Sequence, residues 1–482
     1  MLPGGTVPTV GLMDLRHRPV PPSRRATLRR EPPAPGQGRR RPWRPVTKAV
    51  AVLAMIVGGI GGMVGMAPLP AGASPVACTW TGGGGTGNEN WSDATNWAGG
   101  AGCTGVGGVP ASGDWLDFPA APTQDNSTDD IAGLTGITLS FENAAATTVS
   151  GATGVVLGLA PGLGATTSGA VTDSSGKVVD LNVPIDLAPV AQAAPVFDNT
   201  GTYYLDVDGT ISSTATPTTP LEVEGGPSAT IEMMGANTYG GGTVVKGFLL
   251  FGSSTALGTG TVTVDSGGTL QPYGGYGNLT VTNPLVIGDG TAGTASVLPY
   301  QGSETWAGPV TVMAGTTDEL GTASAPPFDV TGTISGSGAV TVSAGTVEFD
   351  PASGSNAYTG GTDVAYQATA QVAVPGALGT GAVTLENQST LDLINATSSA
   401  LTVSNDITLG ASASATITDT STPNFYDDLT GAERGERVGL DGVSGDGRAA
   451  RVGVVPAQHQ VVDPRLDQAP AAGDGAGCVP PV

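Results

Sequence analysis

Carboxylates are almost the only reactive groups this chain offers. Between Ser74 and Ala432 there are 32 Asp and Glu against two basic residues, Lys177 and Lys246, and neither Arg nor His is present there. His17 and His459 lie outside that stretch. Such a body lacks the residues for a Ser-His-Asp triad, a His/Cys zinc site or a basic phosphate clamp. The whole chain's net charge of −23 also argues against nucleic acid as a partner, because phosphate binding needs basic side chains. A lyase working beside a uronate needs a basic group, which leaves Lys177 and Lys246 alone. A glycoside hydrolase needs only two carboxyl groups, about 5 to 9 Å apart. The sequence pairs that could serve are Asp129 with Asp130, Asp206 with Asp208, Glu222 with Glu224, and Asp427 with Asp428. On a strand, positions i and i+2 share a face, which draws most interest to Asp206/Asp208 and Glu222/Glu224.

Acids spread over a solvated sheet explain the same residues without catalysis, so the expectation is a protein that is not an enzyme. Calcium remains open: carboxylates on turns can bind it, yet neither an EF-hand loop nor a G-G-x-G-x-D array occurs. No cofactor is expected.

The elements that must carry these groups are strands. From Ile137 to Thr420 short alternating runs such as Thr261-Val-Thr-Val264 and Ala339-Val-Thr-Val342 are broken by Gly, Asn, Ser and Asp. Thr alternating with Val marks half-buried strands, Val inward and Thr on the wet face. No stretch holds a 3.6-residue period over twelve residues. The fold class is all-β, and a strand with one apolar face needs coils above and below to bury it.

Several features recur at long spacing. Asn237-Thr-Tyr239-Gly-Gly241-Gly-Thr243 matches Asn356-Ala-Tyr358-Thr-Gly360-Gly-Thr362, and Ala256-Leu-Gly258 matches Ala377-Leu-Gly379. Gly209-Thr-Ile211-Ser matches Gly332-Thr-Ile334-Ser, while Asn283 is echoed by Asn405. The unit is about 120 residues long, and coils of about 20–25 residues would stack into a rod about 60 Å long. The motif N-x-Y-x-G-G-T followed by A-L-G-x-G-x-V resembles the autotransporter-associated β-strand repeat, also called the passenger-associated transport repeat. The resemblance covers two copies, at about 237–270 and 356–391. It implies a right-handed parallel β-helix displayed outside a bacterium, with a role in adhesion or surface display. No closing run of ten-residue amphipathic strands encodes an outer-membrane barrel, so release or wall association is expected.

The ends differ from the body. Residues 1–48 hold ten Arg and Lys48, an apolar run spans Ala49–Met66, and Ala71-Gly72-Ala73 forms an A-x-A exit. This pattern is a secretory signal over 1–73, cleaved between Ala73 and Ser74; an uncleaved anchor is the alternative. Residues 74–136 hold four of the six Trp among turn residues and form a Trp-rich cap. Cys78 and Cys103 flank much of it and are expected to form a disulfide outside the cell. The repeat body is assigned to 137–430. Over 431–482 Thr vanishes, Arg returns and alternation is lost, so a disordered tail or a frame-shifted segment is expected. Together these features suggest a secreted, extracellular or wall-associated adhesin-like protein. It would touch glycans or cell-surface components through weak multivalent contacts, without a membrane once the signal is gone. A carboxylate-dependent polysaccharide hydrolase is the competing reading.

Overall fold

Thr–Val alternation with Gly and Asn at the breaks builds coils. The structure is a computed structural model that describes residues 76–419, apart from 86, 99–101, 121, 143–145, 160–169, 188–193, 214–218, 227, 276, 323–325, 395–400 and 411–413. It also describes strands Asp428–Leu429, Arg437–Leu440 and Ala450–Val455. The segment expected to be a signal, with Ala73 and Ser74, Asp427, and most of 431–482 fall outside the described residues.

The described chain winds as a parallel β-solenoid of about 12 turns. One side is an 11-stranded sheet beginning at Cys78–Thr79, and the second is a 13-stranded sheet running from Ser127–Asp129 to Ile407–Leu409. The third side holds a 3-stranded sheet early on and a 9-stranded one later. On the second side a coil takes about 23 residues on average, and stacked coils at about 4.8 Å give a length near 60 Å. Among the described residues the only helical piece is the 3-10 turn Ala94–Asn96, and no helix there is long and apolar enough to cross a membrane. Strands 416–419, 450–455 and 437–440 pair antiparallel at the far end.

The core is made of in-register columns. On the first sheet Leu116, Leu139, Val171, Phe197 and Val223 follow one another coil by coil, all buried. Each contributes about 1.5–3 kcal/mol only when a neighbour covers it on both sides.

The first coil has no such neighbour beneath it, and the Trp-rich segment supplies one. Trp80, Trp91 and Trp97 are buried, Trp97 packing edge to face with each of the other two around Phe118, which stacks on Phe141 at 4.9 Å. These three rings therefore plug the column and are not a surface platform for sugars. Cys78 and Cys103 are disulfide-bonded as expected. Asp114 fixes the adjoining loop by accepting from the Thr104 amide and hydroxyl and the Ala111 amide.

Candidate functional site

The repeat motif lies inside. Asn237, Tyr239, Thr243, Asn356, Tyr358 and Thr362 are all buried. Asn237 Oδ1 accepts from the Ile211 amide at 2.7 Å, and its Nδ2 donates to the Ala256 carbonyl at 2.6 Å. Asn356 repeats this with Ile334 and Ala377 at the same distances. Tyr239 and Tyr358 hydroxyls meet Thr243 and Thr362 at 2.7 and 2.6 Å. Asn283 and Asn405 extend the clamp one coil further, donating to Gly260 and Gly381 carbonyls at 2.8 and 2.7 Å. The motif's two halves are thus one coil apart, and Gly241 and Gly360 belong to the turn that joins Tyr to Thr.

The long repeat is not a whole number of coils. Ile211 belongs to the third side, whereas Ile334 belongs to the first sheet. Likewise Thr243 starts a strand of the first sheet and Thr362 a strand of the second. The second copy is therefore turned by one side of the solenoid, and the two motifs do not form one continuous face.

The expected carboxylate pairs fare differently. Asp129 is buried and Asp130 binds the Ser92 amide and hydroxyl at 2.8 and 2.5 Å. Glu222 and Glu224 share a face as predicted, but Lys246 joins them at 2.5 and 2.9 Å. Asp206 lies in strand Tyr204–Val207 and Asp208 just beyond it, exposed. The Asp428 backbone belongs to the short strand Asp428–Leu429, and Asp427 lies outside the described residues.

The grouping that the structure does make runs across coils. Asp180, Asp206 and Glu232 are register partners on the outer face of the second sheet, about 4.8 Å apart along the stack. Leu250 and Gln271 continue the same row. Beside it runs a second row, Tyr204, Thr230 and Phe248, with Tyr204 41% exposed. Tyr273 and the exposed Tyr300 lie toward the other end of these strands, ring centroids 6.2 Å apart. Lys177 lies over the exposed Tyr203 ring at 5.9 Å. The face thus combines a row of acids with partly exposed aromatic and apolar side chains.

Its electrostatics follow from crowding. Burial, the Glu232 and Asp180 charges, a hydrogen bond with Asp180 and the Asp208 charge push Asp206 up to about 8. Burial and the Glu232 and Asp206 charges also raise the Tyr204 phenol. A proton taken up by this row relieves the crowding, and the surroundings favour it on Asp206 well above the usual carboxylate range.

The i, i+2 rule missed this row because cross-coil neighbours are far apart in sequence. The usable signal was the constant 26-residue spacing of Asp180, Asp206 and Glu232, shared by Asp173, Asn199 and Gly225. Among the described residues no cluster of three or more His, Cys, Asp or Glu is arranged to hold a metal ion. Comparisons with family models, curated proteins and solved structures gave no significant match.

Proposed function

We propose that this is a secreted surface protein whose solenoid contacts polysaccharide through the outer face of the second sheet, without cleaving it. The observation that carries the reading is the row Tyr204, Thr230, Phe248 lying beside Asp180, Asp206 and Glu232. Aromatic and apolar faces pack on sugar rings, and carboxylates accept from sugar hydroxyls. Repetition along a rod turns weak contacts into avidity. Secretion is supported by the Cys78–Cys103 bridge, which persists in oxidising compartments, and by the basic-apolar-AxA start of the sequence. The resemblance to the autotransporter-associated repeat favours surface display, and the acidic body disfavours anionic partners.

One observation favours a hydrolase as the second reading. Asp206 is pushed up to about 8 beside Glu232 on the next coil, at a spacing near the 5–5.5 Å of retaining glycosidases. A glycan array read for binding, with product analysis of the same polysaccharides, separates the two. Binding without products, lost in Tyr204→Ala, supports the contact role. Products that disappear in Asp206→Asn support hydrolysis, and no binding to any glycan defeats both.

A further inference from the structure

Three aspartates face the interior rather than the solvent. Asp129, Asp173 and Asp318 have relative exposures of 0, 0 and 1%. Asp129 Oδ1 accepts from the Ile131 amide at 3.0 Å and Asp173 Oδ1 from the Ser175 amide at 2.8 Å, but the second oxygen of each is buried without a partner. For Asp318 neither oxygen is in full hydrogen-bonding geometry, and its one favourable contact is with the Met313 backbone.

The coil next to Asp173 shows what is missing. Asn199 is its register partner, equally buried. Asn199 Oδ1 accepts from the Gly201 amide at 3.0 Å, as Asp173 does from Ser175, but the Asn199 amide group then donates to the Tyr203 and Thr230 carbonyls at 2.8 and 3.0 Å. An amide supplies hydrogens at this corner; an ionised carboxylate has none, and a protonated one supplies one.

Asp318 is confined further. Its carboxyl lies between Gly288 and Gly338 of the coils on either side, where an added Cβ would come within 2.7 Å of Oδ1 and of Oδ2 respectively. Both neighbours lack a side chain, and the space they leave is taken by the acid itself.

Within residues 76–419 cations are scarce. The only basic residues between positions 76 and 419 are Lys177 and Lys246. Lys246 is held by Glu222 and Glu224, and Lys177 lies over Tyr203. Lys177 closes the same turn as Asp173 but directs its ammonium to Tyr203, and the other nearby charges are acids. Asp130 adjoins Asp129 but is bonded to Ser92, Asp289 beside the Gly288 corner is bonded to Thr291, and Glu319 is bonded to Ser296. Around Asp173 the register partners are Phe141 and Asn199.

We propose that protons are the counter-charge of these corners: Asp129, Asp173 and Asp318 are carried as neutral acids, so the solenoid is held tightest in mildly acidic surroundings and loosens as the medium turns alkaline. Desolvation acts in the same direction. Burial is the largest cause for all three, raising Asp173 and pushing Asp129 and Asp318 up to about 7; it outweighs the Ile131 backbone contact at Asp129 (where the Asp130 charge adds to the rise), the Ser175 side-chain and backbone contacts at Asp173, and the Met313 backbone contact at Asp318. Each folded value lies above the unfolded one near 3.8, so the native state binds the extra proton. The resulting stability is whole below that value and is lost as pH climbs through the folded value.

The test is the thermal midpoint of the mature protein, followed by Trp fluorescence at pH 5 and pH 8. Asp173→Asn and Asp318→Asn are compared with Asp289→Asn, which removes one charge from an exposed turn. The native midpoint should fall from pH 5 to pH 8. The Asp173 and Asp318 variants should each regain about 2–4 °C at pH 8 and show a flatter profile, while Asp289→Asn keeps the native slope. The proposal is overturned if the native midpoint is level or rises with pH, or if the interior variants behave like Asp289→Asn. It is equally overturned if calcium chloride at pH 8 restores the native midpoint and Asp318→Asn abolishes that effect, because a metal would then be the counter-charge.

Discussion

Asn237 lies one coil below Ala256 and one above Ile211, and its amide bonds to both backbones, accepting from one at 2.7 Å and donating to the other at 2.6 Å. Asn356 does the same between Ile334 and Ala377. A single side chain thus ties three coils where the third side, and in the second copy the first, is not bridged by regular strand pairing.

Removing that tie should cost stability at both copies. Asn237→Ala or Asn356→Ala leaves a buried amide and a buried carbonyl unpaired, a loss of about 2–4 kcal/mol for two groups. Denaturant unfolding should show it at either site. Asn237→Asp should also be destabilised, since an ionised carboxylate accepts from Ile211 but cannot donate to Ala256.

Gly258 and Gly379 should resist substitution for a different reason. Their φ values are +68 and +65, and a Cβ on either would press on the carbonyl of Tyr239 or Tyr358 in the coil below. Gly258→Ala should lower the thermal midpoint through both strain and lost coil spacing. Tyr239→Phe should cost about 1 kcal/mol by removing the hydroxyl bond to Thr243.

The cap should fail separately from the rod. Cys78 and Cys103 close a loop of 25 residues, worth about 3 kcal/mol by chain entropy. Cys103→Ser, or reduction, should expose Trp80 and Trp97 first. A red-shifted Trp emission below the main unfolding transition would show it, and a single transition at the native midpoint would contradict it.

The acid row should make the outer face pH-sensitive. Asp206 has a folded value near 8, well above 3.8, so its contribution is complete below pH 4 and declines as pH rises through 8. Asp206→Asn should therefore help stability more at pH 9 than at pH 5, by a modest amount because the group is partly solvated. Thermal midpoints at the two pH values check this.

Much of the architecture was legible in the residues. Thr alternating with Val announced coils, and Cys78 with Cys103 announced the bridge. The spacing of Asn237 and Ala256 already held the length of one coil. What sequence could not reveal was phase around the rod. Coil lengths vary, so a repeat of about 120 residues overshoots by one side and puts Thr243 and Thr362 on different sheets. The acid row stayed hidden because Asp180 and Glu232, each a register partner of Asp206, are distant in sequence. Interior Asp318 also looked like any surface acid, since alternation alone does not mark a carboxyl that faces inward between two glycines.

Hydrogen–deuterium exchange with and without a bound oligosaccharide tests the functional account most directly. The account predicts slowed exchange confined to segments 178–182, 203–208, 230–234, 248–251 and 271–274, with loss of that protection in Tyr204→Ala. Protection centred instead on the Trp cap at 78–118, or unchanged by Tyr204→Ala, would contradict it.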